Sequence, residues 1–222
     1  MSVDKTIAKG ARQHTVYKTS QGRVPGVTTI LGVLAKPALI AWANRMGLQG
    51  IDTKKYVDRA AHAGTAAHEM IECHLTGQEF NRNQYPEDLL SLAENGFIKY
   101  LDWESHHVVE NVESELSLVS EENQYGGTVD MYCMLDGKPT LVDFKTNATG
   151  IFDEMRHQVV AYSMLLAEHG KHVERIIIIR LGKSDQMDLE AVEVGNWELH
   201  WEMFLACKRI YDLQKQFKKG ES

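Results

Sequence analysis

Apolar positions change period about halfway along the chain, and the change divides it into a helical front and a sheet-forming remainder. Val24 to Leu34 mixes Thr28 and Thr29 with Val27, Ile30 and Leu31. Leu39 to Met46 has helical spacing, and Asp52 to Gly77 reads as one or two helices with alanine at the packing positions. From Pro86 to Trp103, Leu89, Leu92, Ala93, Gly96, Phe97, Tyr100 and Leu101 recur as one helix face. Then Val112, Ser114, Leu116 and Leu118 alternate with polar neighbours, the mark of a half-buried strand. Two further strands, Val129 to Leu135 and Thr140 to Phe144, flank the hairpin dipeptide Asp136-Gly137, where Pro139 is expected to lengthen the loop. A helix from Asp153 to His169 leads into Arg175 to Leu181, whose four consecutive isoleucines predict a strand buried on both faces. Ala191 to Val194 adds an edge strand, and Trp197 to Phe217 a long amphipathic helix. The expected fold class is α/β (α+β), a mixed central sheet flanked by helices behind an α-rich front.

The hairpin carries a geometric test for chemistry. With a two-residue turn at Asp136-Gly137, opposed residue numbers sum to 273, which sets Asp130 directly across from Asp143 and projects Lys145 from the same face. Opposed like charges are unfavourable in a sheet unless a cation, a shared proton or full solvation relieves them. A divalent oxygen-seeking metal is the most useful of these explanations; two solvated carboxylates on an exposed face are the plain one. Asp-x-Lys occurs three times, at Asp52, Asp136 and Asp143, but only the third stands at a strand end with an acid opposite. Upstream, His68 and Glu72 share a helix face, as a metal ligand and its supporting acid would. His68-Glu69 does not begin a zinc-protease motif, because Glu72 stands where the second histidine is needed. Gln158 and Tyr162 share a face of the later helix.

Charge sharpens the reading. The net charge of −7 hides a basic segment 1–60, with 10 basic against 3 acidic residues, and an acidic 61–222, with 14 against 28. This division suits a protein that meets phosphates with one part and holds divalent cations with another. Three widely spaced cysteines argue against disulfides, zinc knuckles and iron–sulfur clusters. There is neither a membrane-length apolar run nor a signal-like start, so a cytoplasmic, non-secreted protein is expected, in the host cytoplasm if viral. No linker or repeat divides the 222 residues, so one domain is expected: a basic N-terminal extension 1–60 and a core 61–222.

In order along the chain, Gly64-Thr65-x-x-His68, Gly127-Thr128-Val129-Asp130, Val142-Asp143-Phe144-Lys145-Thr146 and Gln158-x-x-x-Tyr162 resemble the motifs of the PD-(D/E)XK nuclease superfamily in its RecB-like branch. Val24-Pro25-Gly26-Val27-Thr28-Thr29-Ile30-Leu31 is similar to the N-terminal motif of the mitochondrial genome maintenance exonuclease and its bacteriophage relatives, with Gly26 where a serine is usual. The resemblance covers Val24 to Tyr162. It implies a restriction-endonuclease-like core and a metal-dependent DNA exonuclease working in replication, repair or recombination, with a phage-encoded origin favoured. It further implies Mg²⁺ or Mn²⁺ held by His68, Asp130, Asp143 and the Phe144 carbonyl, and catalytic roles for Lys145, Asp130, Asp143, Gln158 and Tyr162. Glu72 and Glu115 would support the ligands from behind. Lys36, Arg45, Lys54, Lys55, Arg59, Thr28 and Thr29 would contact DNA, with Tyr56 a candidate stacking residue and Trp42 assigned to the core. DNA ends, single- or double-stranded, are the expected partner, and a single-strand-binding or annealing protein is a further candidate. Two other readings stay open: a catalytically silent DNA-binding or assembly module on the same fold, and another metal-dependent phosphoesterase.

Overall fold

The computed structural model describes residues 15–182 and 189–220, so residues 1–14 of the basic extension lie outside the described residues. The chain runs through β1 (Tyr17–Thr19), β2 (Gly22–Val24), α1 (Val27–Leu31), α2 (Pro37–Leu48), α3 (Thr53–Thr76) and α4 (Glu87–Glu104). It continues through β3 (Val109–Ser120), β4 (Tyr125–Leu135), β5 (Lys138–Lys145), α5 (Asp153–Glu168), β6 (Arg175–Arg180), β7 (Glu190–Glu193) and α6 (Trp197–Gly220). Five strands form a mixed sheet in the order β3-β4-β5-β6-β7, parallel only between β5 and β6, with helices on both faces.

The isoleucine run sits near the middle of this sandwich. Ile176 and Ile178 pack with α1, α5 and α6, whereas Ile177 and Ile179 pack with Ile71 of α3 and with Tyr100 and Trp103 of α4. Side chains buried on alternate faces, each worth about 1.5–3 kcal/mol, hold helices to both sides of one strand. α3 is one continuous helix. The Asp52 carboxylate accepts from the N–H groups of Lys54 and Lys55 at 3.0 and 3.1 Å, so the first Asp-x-Lys triplet is a helix cap standing just outside the helix. The second is a turn: Asp136 at φ 53° and Gly137 at φ 78° make a two-residue hairpin, and Asp136 also accepts from the Val108 N–H at 2.9 Å.

Several expectations are corrected. Pro139 does not lengthen the loop; it pairs with Met134 one residue into β5, before the ladder to β6 begins at Thr140 and Arg175. Ahead of Val24, where the sequence pattern gave no element, β1 and β2 form an antiparallel hairpin. Trp42 is not in the core: α2 buries none of its residues, and Trp42 instead packs against Tyr56 with ring centroids 5.9 Å apart. α2 lies on α3 with only Trp42, Ala43 and Met46 half-buried, so its aromatic ring packs at the surface against Tyr56 rather than in the core.

Candidate active site

The register of the hairpin follows the 273 rule from Leu135–Lys138 to Met131–Val142, and there the β4–β5 ladder stops. The next pair would be Asp130 and Asp143. Instead, the Asp130 carboxylate takes the ladder position, its Oδ2 accepting from the Phe144 N–H at 2.9 Å. Beyond that point the first half of β4 pairs with β3 and, through a single bridge at Gly126, with Gly26 ahead of α1, so it leaves β5 and opens a cleft beside the end of that strand.

At the same level β3 and β4 both turn over. Tyr125 and Val129 of β4 pack with α5 and α6, yet Met131, Cys133 and Leu135, of the same parity, pack with α3 and α4. β3 does likewise, with Val112 on the α3–α4 side and Leu116 and Leu118 on the other. A regular strand keeps one parity on one face, so the backbone inverts between these groups. The inversion lies at Asp130 in β4 and at Glu115 in β3, which has left-handed backbone with φ 52°. Ser114–Met131 and Leu116–Val129 pair on either side, making Glu115 the residue opposite Asp130.

Side chains reach this point from both layers. His68 of α3 puts Nδ1 3.6 Å from Asp130 Oδ2, with its ring edge-on to Phe144 at 6.0 Å between centroids. One ligand atom from each of His68, Glu115 and Asp130 lies within 4.8 Å of the other two. Asp143 points to the α5 side, only 2% of its side chain exposed, with the Lys145 ammonium 2.6 Å from its Oδ2. That oxygen nevertheless accepts no well-formed hydrogen bond. Burial, reinforced by the Asp130 charge, pushes the Asp143 carboxyl up to about 6, against the opposing pull of Lys145 and His68. On α5, Gln158 Nε2 donates to the Tyr162 hydroxyl at 2.8 Å. Burial and the Asp143 and Asp130 charges hold the Tyr162 phenol well above its ordinary range, so it is a neutral hydroxyl.

Two adjacent glycines make room. A Cβ on Gly127 would come 2.5 Å from the Tyr162 ring, and one on Gly126 2.3 Å from Tyr17, so the two rings press on opposite sides of β4. Tyr17 also hydrogen-bonds Thr128 at 2.9 Å, two residues from Asp130. It forms one wall of a groove of about 410 Å³ lined also by Arg23, Thr28, Thr29, Tyr211 and Lys215. Of these, the sequence reading singled out only the two threonines. Arg23 lies just ahead of the first stretch whose spacing was informative, and Tyr211 and Lys215 join the groove only because α6 folds back onto α1.

The remaining candidates are scattered. Glu72 is half-buried one turn beyond His68. Arg45 and Lys55 are exposed, whereas Lys36 pairs with Glu154 at 2.9 Å, Lys54 with Asp58 at 3.2 Å and Arg59 with Asp88 at 2.8 Å. Those three charges are partly offset by acids of this chain.

The donor set suits a divalent cation: carboxylates and one imidazole converge on a cleft, beside a buried carboxylate oxygen without a hydrogen bond. Oxygen ligands suit Mg²⁺, and the imidazole admits Mn²⁺. Among the described residues no helix is long and apolar enough to cross a membrane.

No protein-family model and no curated protein matches the chain. Solved structures with some likeness include an alkaline exonuclease, LHK-Exo, from Laribacter hongkongensis, at 16% identity over 72% of this chain and 87% of that one, with a TM-score of 0.35. LHK-Exo in complex with dAMP gives 17% identity, 73% and 91% coverage and a TM-score of 0.33. The crystal structure of SSO0001 gives 15% identity, 66% and 74% coverage and a TM-score of 0.34. Likeness at this level says nothing about activity.

Proposed function

We propose that the chain is a metal-dependent deoxyribonuclease of the PD-(D/E)XK superfamily, in its RecB-like branch, hydrolysing phosphodiester bonds at DNA ends. The observation that carries this reading is the convergence, at one cleft in the sheet, of His68 and Asp130 with the buried Asp143–Lys145 pair. A bound Mg²⁺ or Mn²⁺ would supply Lewis-acid activation of water and offset charge on the phosphate. His68 and Asp130 would hold it, with Asp143 and the Phe144 carbonyl the further ligands that the motif implies.

The chain's own residues do the rest. The Lys145 Nζ, held by Asp143, places a positive charge beside the scissile phosphate and orients the attacking water. Gln158 and Tyr162 brace Asp143 from the α5 side without carrying charge. The groove with Arg23, Thr28, Thr29 and Lys215 lays the phosphate backbone beside the cleft, and exposed Arg45, Lys55 and Tyr56 are the further candidates for contact with DNA. Exonucleolytic action, a role in replication, repair or recombination, a phage-encoded origin and an annealing or single-strand-binding partner rest on the motif resemblance, and a cytoplasmic site of action rests on the sequence pattern alone. Intact Asp130, Asp143 and Lys145 disfavour a silent DNA-binding module.

The test is cleavage of end-labelled single- and double-stranded DNA with Mg²⁺, Mn²⁺ or EDTA, with Lys145→Ala and Asp130→Asn beside the parent. Metal-dependent release of mononucleotides or short oligonucleotides, lost in both variants, is the expected result. A folded parent that leaves every substrate intact with either metal overturns the reading.

A further inference from the structure

We propose that Glu115 is a direct ligand of the divalent cation, completing with His68 and Asp130 a ligand set carried by α3, β3 and β4, and that the inverted backbone at Glu115 is what delivers its carboxylate. This rests on the metal-dependent reading above and goes further, since the motif resemblance gives Glu115 no more than a supporting place.

Position is the first argument. Glu115 occupies the rung opposite Asp130, between the pairs Ser114–Met131 and Leu116–Val129, where both strands turn over. Its φ of 52° is a conformation that an L residue with a long side chain adopts only under compulsion. A glycine or asparagine would sit there with less strain, whereas the glutamate brings a carboxylate oxygen within 4.8 Å of ligand atoms of His68 and Asp130.

Ligand spacing is the second. The donor atoms of His68, Glu115 and Asp130 lie within 4.8 Å of one another. Six ligands about 2.1 Å from an Mg²⁺-like ion stand about 3.0 Å apart when adjacent and about 4.2 Å when opposite, so a small contraction closes the set. Asp143 is outside this group, buried and against Lys145. Its Oδ2, shielded from solvent and accepting no hydrogen bond, borders the centre and feels the charges of both Asp130 and His68. Two carboxylates held against each other beside a third, with one imidazole between, form a site whose repulsion a cation removes.

The closing experiment is titration of Mn²⁺ into the metal-free full chain by calorimetry, with melting curves in the presence and absence of Mn²⁺, for the parent, Glu115→Gln, Glu115→Gly, Asp130→Asn and Asp143→Asn. Glu115→Gln and Glu115→Gly should each lose at least about tenfold in Mn²⁺ affinity and most of the Mn²⁺-induced rise in melting temperature. The metal-free melting temperature of Glu115→Gly should not fall, because glycine accepts the left-handed backbone; a merely structural glutamate would show the opposite pattern. Asp143→Asn should weaken Mn²⁺ less than Glu115→Gln does. Mn²⁺ binding by both Glu115 variants within about threefold of the parent overturns the inference, and loss in Asp130→Asn alone would leave the metal-dependent reading standing. A parent that binds no Mn²⁺ overturns both.

Discussion

Gly127→Ala tests whether the site is built by the packing described. The added methyl would lie 2.5 Å from Tyr162 Cε1, 2.8 Å from Cδ1 and 3.1 Å from Leu165 Cδ1, whereas apolar carbons rest at about 3.5–4.0 Å. The Tyr162 ring must therefore retreat by about 1 Å. It has little room, being 5% exposed on a helix whose Leu165 and Leu166 are wholly buried, and β4 is pinned from behind by β3. Overpacking of this kind costs about 1–3 kcal/mol, offset by about 0.4–1 kcal/mol from the stiffer unfolded chain, since Gly127 is not at positive φ. The net loss of about 1–2 kcal/mol lowers Tm by about 2–8 °C for a chain of this size. The Tyr162 hydroxyl moves with its ring, so DNA cleavage should fall by about tenfold to a hundredfold. Differential scanning calorimetry and the end-labelled DNA assay read the two effects. Gly47→Ala is the control: that glycine is in exposed α2 with nothing near a Cβ, and alanine there should raise Tm slightly. Trimming the ring by Tyr162→Leu in the Gly127→Ala background should cost less than the sum of the single changes. The reasoning is refuted if Gly127→Ala melts with or above the parent, or if the double variant is strictly additive.

Asp52→Ala removes a cap that accepts two N–H groups and should cost about 1 kcal/mol, or about 2–4 °C in Tm, with turnover of bound DNA unchanged. Loss of turnover would mean that this Asp-x-Lys triplet does more than cap α3. In the metal-free protein, Asp143 titrates near 6 against 3.8 unfolded, so between these pH values the native state holds a proton that the unfolded chain has released. Stability falls as pH rises through that window, on the order of 3 kcal/mol at most from this group, and Asp143→Asn should flatten denaturant-midpoint curves between pH 4 and about 6.5 relative to the parent. Parallel curves for the two proteins would show that Asp143 has no such burden.

Read from residues alone, the fold was legible wherever the determining interaction is local. Period 3.6 marked α3, α4, α5 and α6, the isoleucine run marked the doubly buried β6, and Asp136-Gly137 set the β4–β5 register, because a two-residue turn and alternating burial leave no other pairing. The opposition of Asp130 and Asp143 came from that register. What became of it was decided by distant parts of the chain. α3 brings His68 to Asp130, α5 lays Tyr162 over Gly127, and Lys145 takes Asp143 to itself.

The inversion at Glu115 and Asp130 was invisible in the sequence, since alternation in β3 appears unbroken from Val112 to Leu118 although its two halves face opposite layers. The basic candidates show the same limit in part: composition counts Lys36 and Arg59 as positive charges and only the fold brings Glu154 and Asp88 to them, whereas Lys54 and Asp58 meet one turn apart on the same helix. Periodicity and turn chemistry act over a few residues and can be read in order. Which layer a strand faces, and which charge meets which between elements, depends on how separate helices pack on the sheet, and that packing is what gathers the site from β3, β4 and β5.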